Sequence, residues 1–235
     1  MKKFILLITF LLLLNGCNSS ENVAETQTVT EKIETTETIA YTEEIPPIIV
    51  SPLSSENFLL PLEDFSWERE FLPEYIMIHF TSAVKILNKD PYNMSTVRKI
   101  FEDSEVSIHY IIDRKGKIFC FIPEDRAAWH AGKGEYSNDE RLINAMNKYS
   151  IGIELLAIGS QKDMEQYLTK EEYNSLDKSF IGFTDEQYTA LNLLLNDICE
   201  RNDITYDKEH IIGHDMYNPL KSDPGELFDW NRIGL

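Results

Sequence analysis

Basic residues, cysteines and long apolar runs are all scarce in this 235-residue chain. It has 22 lysines and arginines against 40 aspartates and glutamates, so its formal net charge at pH 7 is −18. This excludes nucleic acid as a favoured partner, because binding to phosphates requires the opposite charge. Three cysteines are too few for a disulfide-rich scaffold. The length suits one sizeable core and not several large domains.

The one long apolar run lies at the amino terminus, from Phe4 to Leu14, and only Thr9 interrupts it. These eleven residues fall short of the roughly 20 that a membrane-spanning helix needs. Two lysines precede them, so we interpret residues 1–16 as a secretion signal. The run ends in LNGC, which resembles a bacterial lipobox and implies that Cys17 carries a lipid. The protein would then be anchored to a membrane in the cell envelope; the alternative is secretion after a small-residue cleavage site.

A segment rich in threonine and glutamate follows the predicted signal. Between Asn18 and Glu44 there are seven threonines and seven glutamates, with few side chains that could build a core. Such a composition cannot bury enough apolar surface to fold. We therefore predict a lipid-anchored disordered tether over residues 17–52 and a single folded domain over residues 53–235.

Short apolar runs and two amphipathic segments indicate the fold of that domain. The predicted strands are YIMIHF (75–80), the arms of a hairpin whose turn is at 114–116, SIGIELL (150–156) and HIIGH (210–214). The predicted helices are 94–103 and 184–202, the second with a capping box formed by Thr184 and Gln187. Strands mixed with helices, some joined by a hairpin, predict an α/β domain with a mixed central sheet flanked by helices.

Two cysteines remain once Cys17 is assigned to lipid. Cys120 lies in an apolar run and Cys199 in a predicted helix. They could pair outside the cytoplasm, but their positions favour two buried thiols.

The segment GHDMYNPLKSDPG, residues 213–225, combines turn residues with three reactive side chains. Pro224 favours an extended Asp223, and residues two apart in an extended segment share a side. Lys221 and Asp223 are therefore predicted to face one cavity, and His214, at the end of the last predicted strand, also reaches it. An imidazole and a carboxylate beside an ammonium suggest a metal site with an electrostatic helper. The alternative is a surface loop with an Asp–Lys pair.

His79 is the candidate for a third metal ligand. It is the first polar side chain after four strand residues, at the carboxyl end where catalytic groups often lie. Two histidines and one carboxylate with an open fourth position are typical of catalytic zinc. The alternative is a structural histidine.

Glu154 is the candidate general base. In the predicted strand SIGIELL it shares a face with Gly152, and the aliphatic residues Ile151, Ile153 and Leu155 occupy the other face. Desolvation would raise the pKa of such a carboxyl towards the range that a general base needs. The alternative is a buried ion pair with an arginine or lysine.

Five stretches, in this order, resemble the type 2 N-acetylmuramoyl-L-alanine amidases, which are zinc amidases related to animal peptidoglycan recognition proteins. The stretches are MIHFTSA, VSIHYIIDRKGKIF, AAWHAG, SIGIEL and GHDMYNPLKSDPG, and the resemblance covers about Leu53 to Trp230. It implies that residues 53–235 form a zinc amidase catalytic domain and that lipid-anchored bacterial amidases are near relatives. The implied Zn²⁺ ligands are His79, His214 and Asp223, and the implied catalytic residues are Glu154 and Lys221.

The resemblance also implies a substrate groove that contains His109, Trp129 and His130. We treat these three residues as binding candidates, with a structural role in the hairpin or under a loop as the alternative. His210 matches no motif.

The implied activity is zinc-dependent hydrolysis of the amide between N-acetylmuramic acid and L-alanine, in peptidoglycan or muropeptides, by a monomeric protein of the cell envelope. One alternative is a non-catalytic peptidoglycan-binding or muropeptide-binding lipoprotein, but no zinc ligand is missing. The other is a zinc endopeptidase, and the absence of a His-Glu-x-x-His motif weighs against a typical metalloprotease.

Overall fold

A six-stranded mixed sheet forms the centre of the computed structural model, which describes residue 53 and residues 55–235. The strands are β1 (Glu56–Asn57), β2 (Ser66–Glu68), β3 (Tyr75–Thr81), β4 (Tyr110–Ile112), β5 (Ile118–Cys120), β6 (Arg126–Ala128), β7 (Ser150–Leu156) and β8 (Ile211–Gly213). The helices are α1 (Leu62–Phe65), α2 (Met94–Asp103), α3 (Lys170–Asn174), α4 (Asp185–Asn202) and α5 (His214–Tyr217). Short 3-10 helices cover Glu140–Leu142, Met146–Lys148, Lys178–Phe180 and Trp230–Ile233. The predicted secretion signal, Cys17 and the predicted tether lie outside the described residues.

The strand order in the sheet is β1-β5-β4-β7-β3-β8. The four neighbours β4, β7, β3 and β8 run parallel to one another, whereas β5 is antiparallel to β4 and forms the predicted hairpin with it. The carboxyl ends of β7, β3 and β8 therefore meet at one edge of the sheet. A separate antiparallel pair joins β2 to β6. The mixed α/β architecture expected from the sequence is confirmed.

Helix α4 covers one face of the sheet and α2 packs on the other. The apolar residues of β7 and α4 form one cluster, in which Ile153 and Leu195 are fully buried. On the opposite face Val97 and Phe101 of α2 pack against a second cluster around Ile111. The predicted amphipathic stripes of both helices are therefore the surfaces that they bury.

The amino terminus of α4 is fixed to the sheet by its capping box. The Thr184 hydroxyl accepts a hydrogen bond from the Gln187 backbone N–H (3.1 Å), and the Gln187 side chain accepts one from the Thr184 backbone N–H (3.0 Å). The buried Gln187 amide also donates to the carbonyls of Ile112 (3.2 Å) and Leu156 (3.0 Å), the last residues of β4 and β7. The capping box predicted from the sequence is confirmed, and it locates α4 along the sheet.

The two cysteines of the described region are free and buried. Cys120 lies in β5 and Cys199 in α4, as the sequence favoured. Among the described residues, no helix is long and apolar enough to cross a membrane.

Candidate metal centre and active site

Three of the predicted site residues lie at the carboxyl ends of adjacent parallel strands. His79 of β3 and Glu154 of β7 are direct register partners. Ile78 is paired with Gly213 of β8, so the next residue, His214, emerges at the same edge. His214 is the first residue of the four-residue helix α5 and not the last residue of the strand, but it still points into the predicted cavity.

The nitrogen and oxygen atoms of His79, His214 and Asp223 converge on one point. The His79 Nδ1–Asp223 Oδ2 distance is 2.7 Å, the His214 Nδ1–Asp223 Oδ2 distance is 3.0 Å, and the two Nδ1 atoms are 3.1 Å apart. A tetrahedral zinc ion with ligand bonds of about 2.0–2.2 Å would hold neighbouring ligand atoms roughly 3.3 Å apart. Among the described residues, this is the group of three side chains that could hold a metal ion.

The hydrogen bond on the far side of the His214 ring assigns its proton. His214 Nε2 lies 3.0 Å from the Ala131 carbonyl oxygen, which can only accept, so Nε2 carries the hydrogen. In the neutral ring the Nδ1 lone pair is then directed at Asp223. A backbone carbonyl on the non-coordinating nitrogen is a usual partner of a metal-binding histidine.

The charges at this point also suit a cation. Burial lowers the pKa of His79 to about 4, although the facing carboxylate of Asp223 opposes that shift. Burial alone would raise the pKa of Asp223, but the facing rings of His214 and His79 outweigh that effect and hold the pKa below its usual range. Near neutral pH His79 therefore offers a neutral imidazole and Asp223 an ionised carboxylate, which are the forms that bind metal. The residues present fit a divalent ion.

Glu154 lies next to this group and has no hydrogen-bond partner at one oxygen. Its Oε2 atom is the buried side-chain polar atom without a partner among the described residues. Burial, and then the negative charge of Asp223, raise the pKa of Glu154 well above its ordinary value, while Lys221 lowers it. An unpartnered buried carboxyl beside a candidate metal position is typical of a functional group and not of a structural ion pair.

The segment that carries Asp223 is held by a buried aspartate that the sequence interpretation missed. Asp163 Oδ2 accepts hydrogen bonds from the backbone N–H groups of Ser160 (2.8 Å) and Glu226 (3.3 Å). The Ser222 hydroxyl donates to the Asp163 carbonyl (3.3 Å), so the Ser222 side chain points towards Asp163 and away from the metal position. The Ser-x-x-Asp spacing at 160–163 resembles a capping pair and was the available signal.

A cavity of about 440 Å³ opens in front of the candidate metal centre. Its lining includes apolar side chains, among them Phe101 and Ile86, and two lysines, Lys85 and Lys221. Cavities of roughly 300–1,000 Å³ with apolar walls and a few polar groups are usual ligand sites. Lys221 therefore lies on the predicted side of its segment, with its positive charge acting on Glu154.

Trp129 and His130, two of the three substrate-binding candidates, line this cavity. Trp129 is 47% exposed, and its ring packs on that of Trp67 with ring centroids 4.1 Å apart, so part of its aromatic surface is accessible from the cavity. His130 bonds to His79, with His79 Nε2 and His130 Nδ1 3.1 Å apart.

His109, the third candidate, requires a correction. It is fully buried, and its Nδ1 accepts a hydrogen bond from the Gly152 backbone N–H (3.0 Å). Its Nε2 lies 3.1 Å from the Arg126 carbonyl and 3.0 Å from Nη2 of Arg69, a buried arginine that sequence patterns did not single out. His109 has no exposed surface and does not line the cavity; its ring packs against that of His130, with centroids 5.7 Å apart. His210 lies outside the cavity lining and bonds to Asp207 (2.7 Å).

Comparison with known proteins identifies the family. A family model described as N-acetylmuramoyl-L-alanine amidase (Amidase_2) matches residues 69–226. The 1,6-anhydro-N-acetylmuramyl-L-alanine amidase AmpD of Haemophilus influenzae is 33% identical over 128 residues, 54% of this chain and 56% of AmpD. The N-acetylmuramoyl-L-alanine amidase AmiD of Escherichia coli is 31% identical over 166 residues, 67% of this chain and 51% of AmiD. The chain thus spans about half the length of these curated relatives.

Solved structures share the fold. A selenomethionine derivative of AmpD superposes with a TM-score of 0.53 and 25% identity, covering 76% of this chain and 92% of that one. E. coli AmiD, in complex with its substrate anhydro-N-acetylmuramic acid-L-Ala-D-γ-Glu-L-Lys, gives a TM-score of 0.50 and 29% identity, covering 68% of this chain and 56% of that one. With the family match over about two thirds of the chain and the site residues in place, this protein belongs to the N-acetylmuramoyl-L-alanine amidase family.

Proposed function

We propose that this protein is a zinc-dependent hydrolase that cleaves the amide bond between N-acetylmuramic acid and L-alanine in peptidoglycan or muropeptides. The observation that carries the proposal is the convergence of His79, His214 and Asp223 within 3.1 Å of one another, with Glu154 as the register partner of His79. Family membership supports the same reaction.

The three converging side chains are the proposed zinc ligands. When bound there, zinc supplies Lewis acidity that polarises the scissile carbonyl and activates water. The protein would contribute two imidazoles and one carboxylate, a ligand set that is usual for catalytic zinc.

Glu154 is the proposed general base and acid. Its Oε2 atom has no hydrogen-bond partner among residues 55–235, so it is free to accept a proton from the attacking water. Because burial raises the pKa of Glu154, its carboxylate is a stronger base than an exposed one, and it can then pass the proton to the leaving amide nitrogen. The nitrogen then departs as a neutral amine, and the muramoyl carbon keeps the oxygen of the water.

Lys221 is the proposed stabiliser of the negative charge that develops on the carbonyl oxygen. Its ammonium belongs to the same cavity lining as Glu154 and Asp223. Removal of one such donor reduces kcat by about 10²–10³-fold in other hydrolases. We expect Lys221→Ala to lose activity to that extent while the zinc affinity, measured by chelator competition, stays near the wild-type value. Unchanged turnover in Lys221→Ala would show that Lys221 does not stabilise the developing negative charge.

The side chains that line the cavity support a substrate with a sugar and an acidic peptide. The half-exposed Trp129 ring offers a face suited to the apolar side of a sugar. Lys85 and Lys221 offer positive charge to peptide carboxylates in a protein that is otherwise strongly acidic. The names of AmpD and AmiD, and the muropeptide bound to AmiD, favour the same class of substrate.

The decisive experiment is digestion of purified peptidoglycan and of anhydro-muropeptides, with and without a chelator, followed by mass spectrometry. Amidase activity would release an intact stem peptide and a glycan that keeps its lactyl group, and the chelator would abolish the reaction. A cut within the stem peptide would instead identify an endopeptidase. Binding of muropeptide without any cleavage by the zinc-loaded protein would identify a binding protein, and either result overturns the proposal.

We also propose a lipid-anchored location in the cell envelope. The support is the amino-terminal sequence, in which a basic and apolar signal ends at Cys17. In cells, Cys17→Ala is expected to move the protein from the membrane fraction to the soluble extracytoplasmic fraction. Membrane attachment that survives this substitution would contradict the anchor.

A further inference from the structure

The far sides of the two histidine ligands are bonded in different ways. The non-coordinating nitrogen of a metal-binding histidine usually donates to a carboxylate, a backbone carbonyl or water. His214 follows this rule through the Ala131 carbonyl. The corresponding nitrogen of His79 instead lies 3.1 Å from Nδ1 of His130, a second imidazole, whose proton has to be on the correct atom for the bond to form.

The direction of this bond follows from a chain that ends on a backbone carbonyl. The Ser150 hydroxyl donates its one hydrogen to the Met146 carbonyl oxygen (2.7 Å), so Ser150 can only accept from His130 Nε2, 3.2 Å away. His130 Nε2 therefore carries the hydrogen, and in the neutral ring His130 Nδ1 has the free lone pair. That lone pair accepts the hydrogen of His79 Nε2, which leaves His79 Nδ1 unprotonated and directed at Asp223.

We propose that His130 is a positioning residue, which, backed by Ser150, fixes the His79 ring and its tautomer so that Nδ1 is ready for the metal. His130 acts through His79 and does not itself contact the metal position. The inference rests on the proposed metal site and adds to it a residue that the sequence pointed to only as a substrate contact. An imidazole suits this position, since one ring accepts on one side and donates on the other.

The His130 ring is held in place from several directions. Its backbone N–H donates to Asn147 Oδ1 (3.0 Å). A Cβ atom on Gly152 would lie 2.7 Å from both Cγ and Nδ1 of His130, so the ring occupies the space that a side chain at position 152 would take. Glycine at that strand position allows the ring to reach His79.

The main test compares zinc binding by the purified full chain before and after replacement of His130. His130→Leu removes the acceptor, retains similar bulk and keeps water out. Loss of such partners typically weakens metal binding about 10–100-fold, and we expect that loss in chelator competition. The visible absorption spectrum of the cobalt-loaded protein should change as well, because the His79 ring is no longer fixed. Wild-type zinc affinity and an unchanged cobalt spectrum in His130→Leu would overturn the proposal.

Two variants separate positioning from packing. His130→Asn can place an amide oxygen near the position of Nδ1, so we expect it to recover most of the lost zinc affinity and a cobalt spectrum close to wild type. His210→Leu makes the same change at a histidine that bonds to Asp207 and does not contact the metal position; its zinc affinity should be unaltered. Equal losses in His130→Asn and His130→Leu would show that only packing matters and would reject the acceptor role.

Two further variants keep the test decisive if His130→Leu does not fold. Ser150→Ala removes the acceptor that orients His130, and Gly152→Ala displaces the ring without changing a polar group. Both are expected to weaken zinc binding in the same direction as His130→Leu, and wild-type affinity in both would reject the proposal. His79→Ala tests the metal site separately from the positioning role. Normal zinc binding by His79→Ala would show that the proposed metal site is wrong. Loss of zinc binding in His79→Ala, with normal binding in the His130 and Ser150 variants, would reject only the positioning role of His130.

Discussion

Alternate residues of β7 face two very different environments. Ile151, Ile153 and Leu155 are fully buried in the apolar cluster beneath α4. Gly152 and Glu154 point the other way, where Gly152 lies against the His130 ring and one oxygen of Glu154 has no hydrogen-bond partner within the described part of the chain. One strand thus contributes aliphatic packing on one face and reactive groups on the other.

The difference separates stability from chemistry. Each fully buried aliphatic side chain contributes roughly 1.5–3 kcal/mol by leaving water, whereas a buried polar atom without a partner is destabilising by about 1–3 kcal/mol. The α4 face therefore supplies free energy of folding that the site face consumes. Substitutions on the two faces should give opposite patterns of stability and activity.

The largest expected effect is on turnover. Glu154→Gln removes the proposed base and should reduce kcat about 10²–10⁴-fold, the usual contribution of such a group, while zinc remains bound. The matched control is the preceding residue of the strand, Ile153→Val, which should lower the free energy of unfolding by about 0.5–1.5 kcal/mol and leave kcat unchanged. The measurements are steady-state kinetics on a defined muropeptide and zinc content. Near-wild-type kcat in Glu154→Gln would contradict the assignment of catalysis to one face of β7 and packing to the other.

The next effect is on stability alone. Leu195 is fully buried on the sheet side of α4, whereas Leu193 on the same helix is 57% exposed. Leu195→Ala should lower the free energy of unfolding by about 2–5 kcal/mol, and Leu193→Ala by no more than about 0.5 kcal/mol. Urea unfolding measures both changes. Similar losses in the two variants would mean that α4 does not pack as described.

A smaller effect should appear in the metal-free protein as a function of pH. Because the pKa of Glu154 is raised in the folded state, its protonated carboxyl is tolerated below the unfolded pKa of about 4.3, and stability falls as the pH rises towards the raised folded value. Glu154→Gln cannot ionise, so above about pH 4 it should become more stable than wild type, by about 1–3 kcal/mol at neutral pH. Urea unfolding of chelator-treated protein from pH 4 to 8 measures the difference. A difference that does not vary with pH would show that Glu154 is not desolvated.

The smallest predicted effect concerns the cap of α4. Thr184→Ala removes the acceptor for the Gln187 backbone N–H and a donor to the Arg114 carbonyl, and should reduce the free energy of unfolding by about 1 kcal/mol. Thr189 lies in the second turn of the same helix and donates only to the Asp185 carbonyl. The control Thr189→Ala should change stability less than Thr184→Ala, as measured by thermal unfolding. Equal losses of stability in Thr184→Ala and Thr189→Ala would show that the cap makes no separate contribution to stability.

Much of the fold was predictable because the spacing of apolar residues along a short segment shows which side of a helix or strand is buried. The 3.6-residue stripe of α4, its capping box, the hairpin and the alternation along β7 were each readable from a few neighbouring residues. His79 and Glu154 followed from the same patterns, since a polar group at a strand end, or among aliphatic residues, needs a reason to be there. Their meeting at one point was implied only by the family resemblance.

The remainder depends on long-range contacts that no local pattern encodes. The register of His79 against Glu154 requires β3 to lie between β7 and β8, an order unrelated to chain order. His109 could not be separated from the groove residues, because its depth beneath His130 is a property of the packed sheet. Strands of two or three residues such as β1 and β6 are too short to produce a periodic signal. The hydrogen bonds of Asp163 to the segment that carries Asp223 produce none because the residues involved are polar.

The two buried thiols determine how this domain responds to its redox surroundings. Burial raises the pKa of Cys120 to about 12 and that of Cys199 to about 11, so almost no thiolate, the form that oxidants attack, exists at neutral pH. Folding of the described residues needs no oxidant, since both cysteines are unpaired in the folded chain. The native structure of this domain can therefore form under reducing conditions and persist under oxidising ones without disulfide exchange.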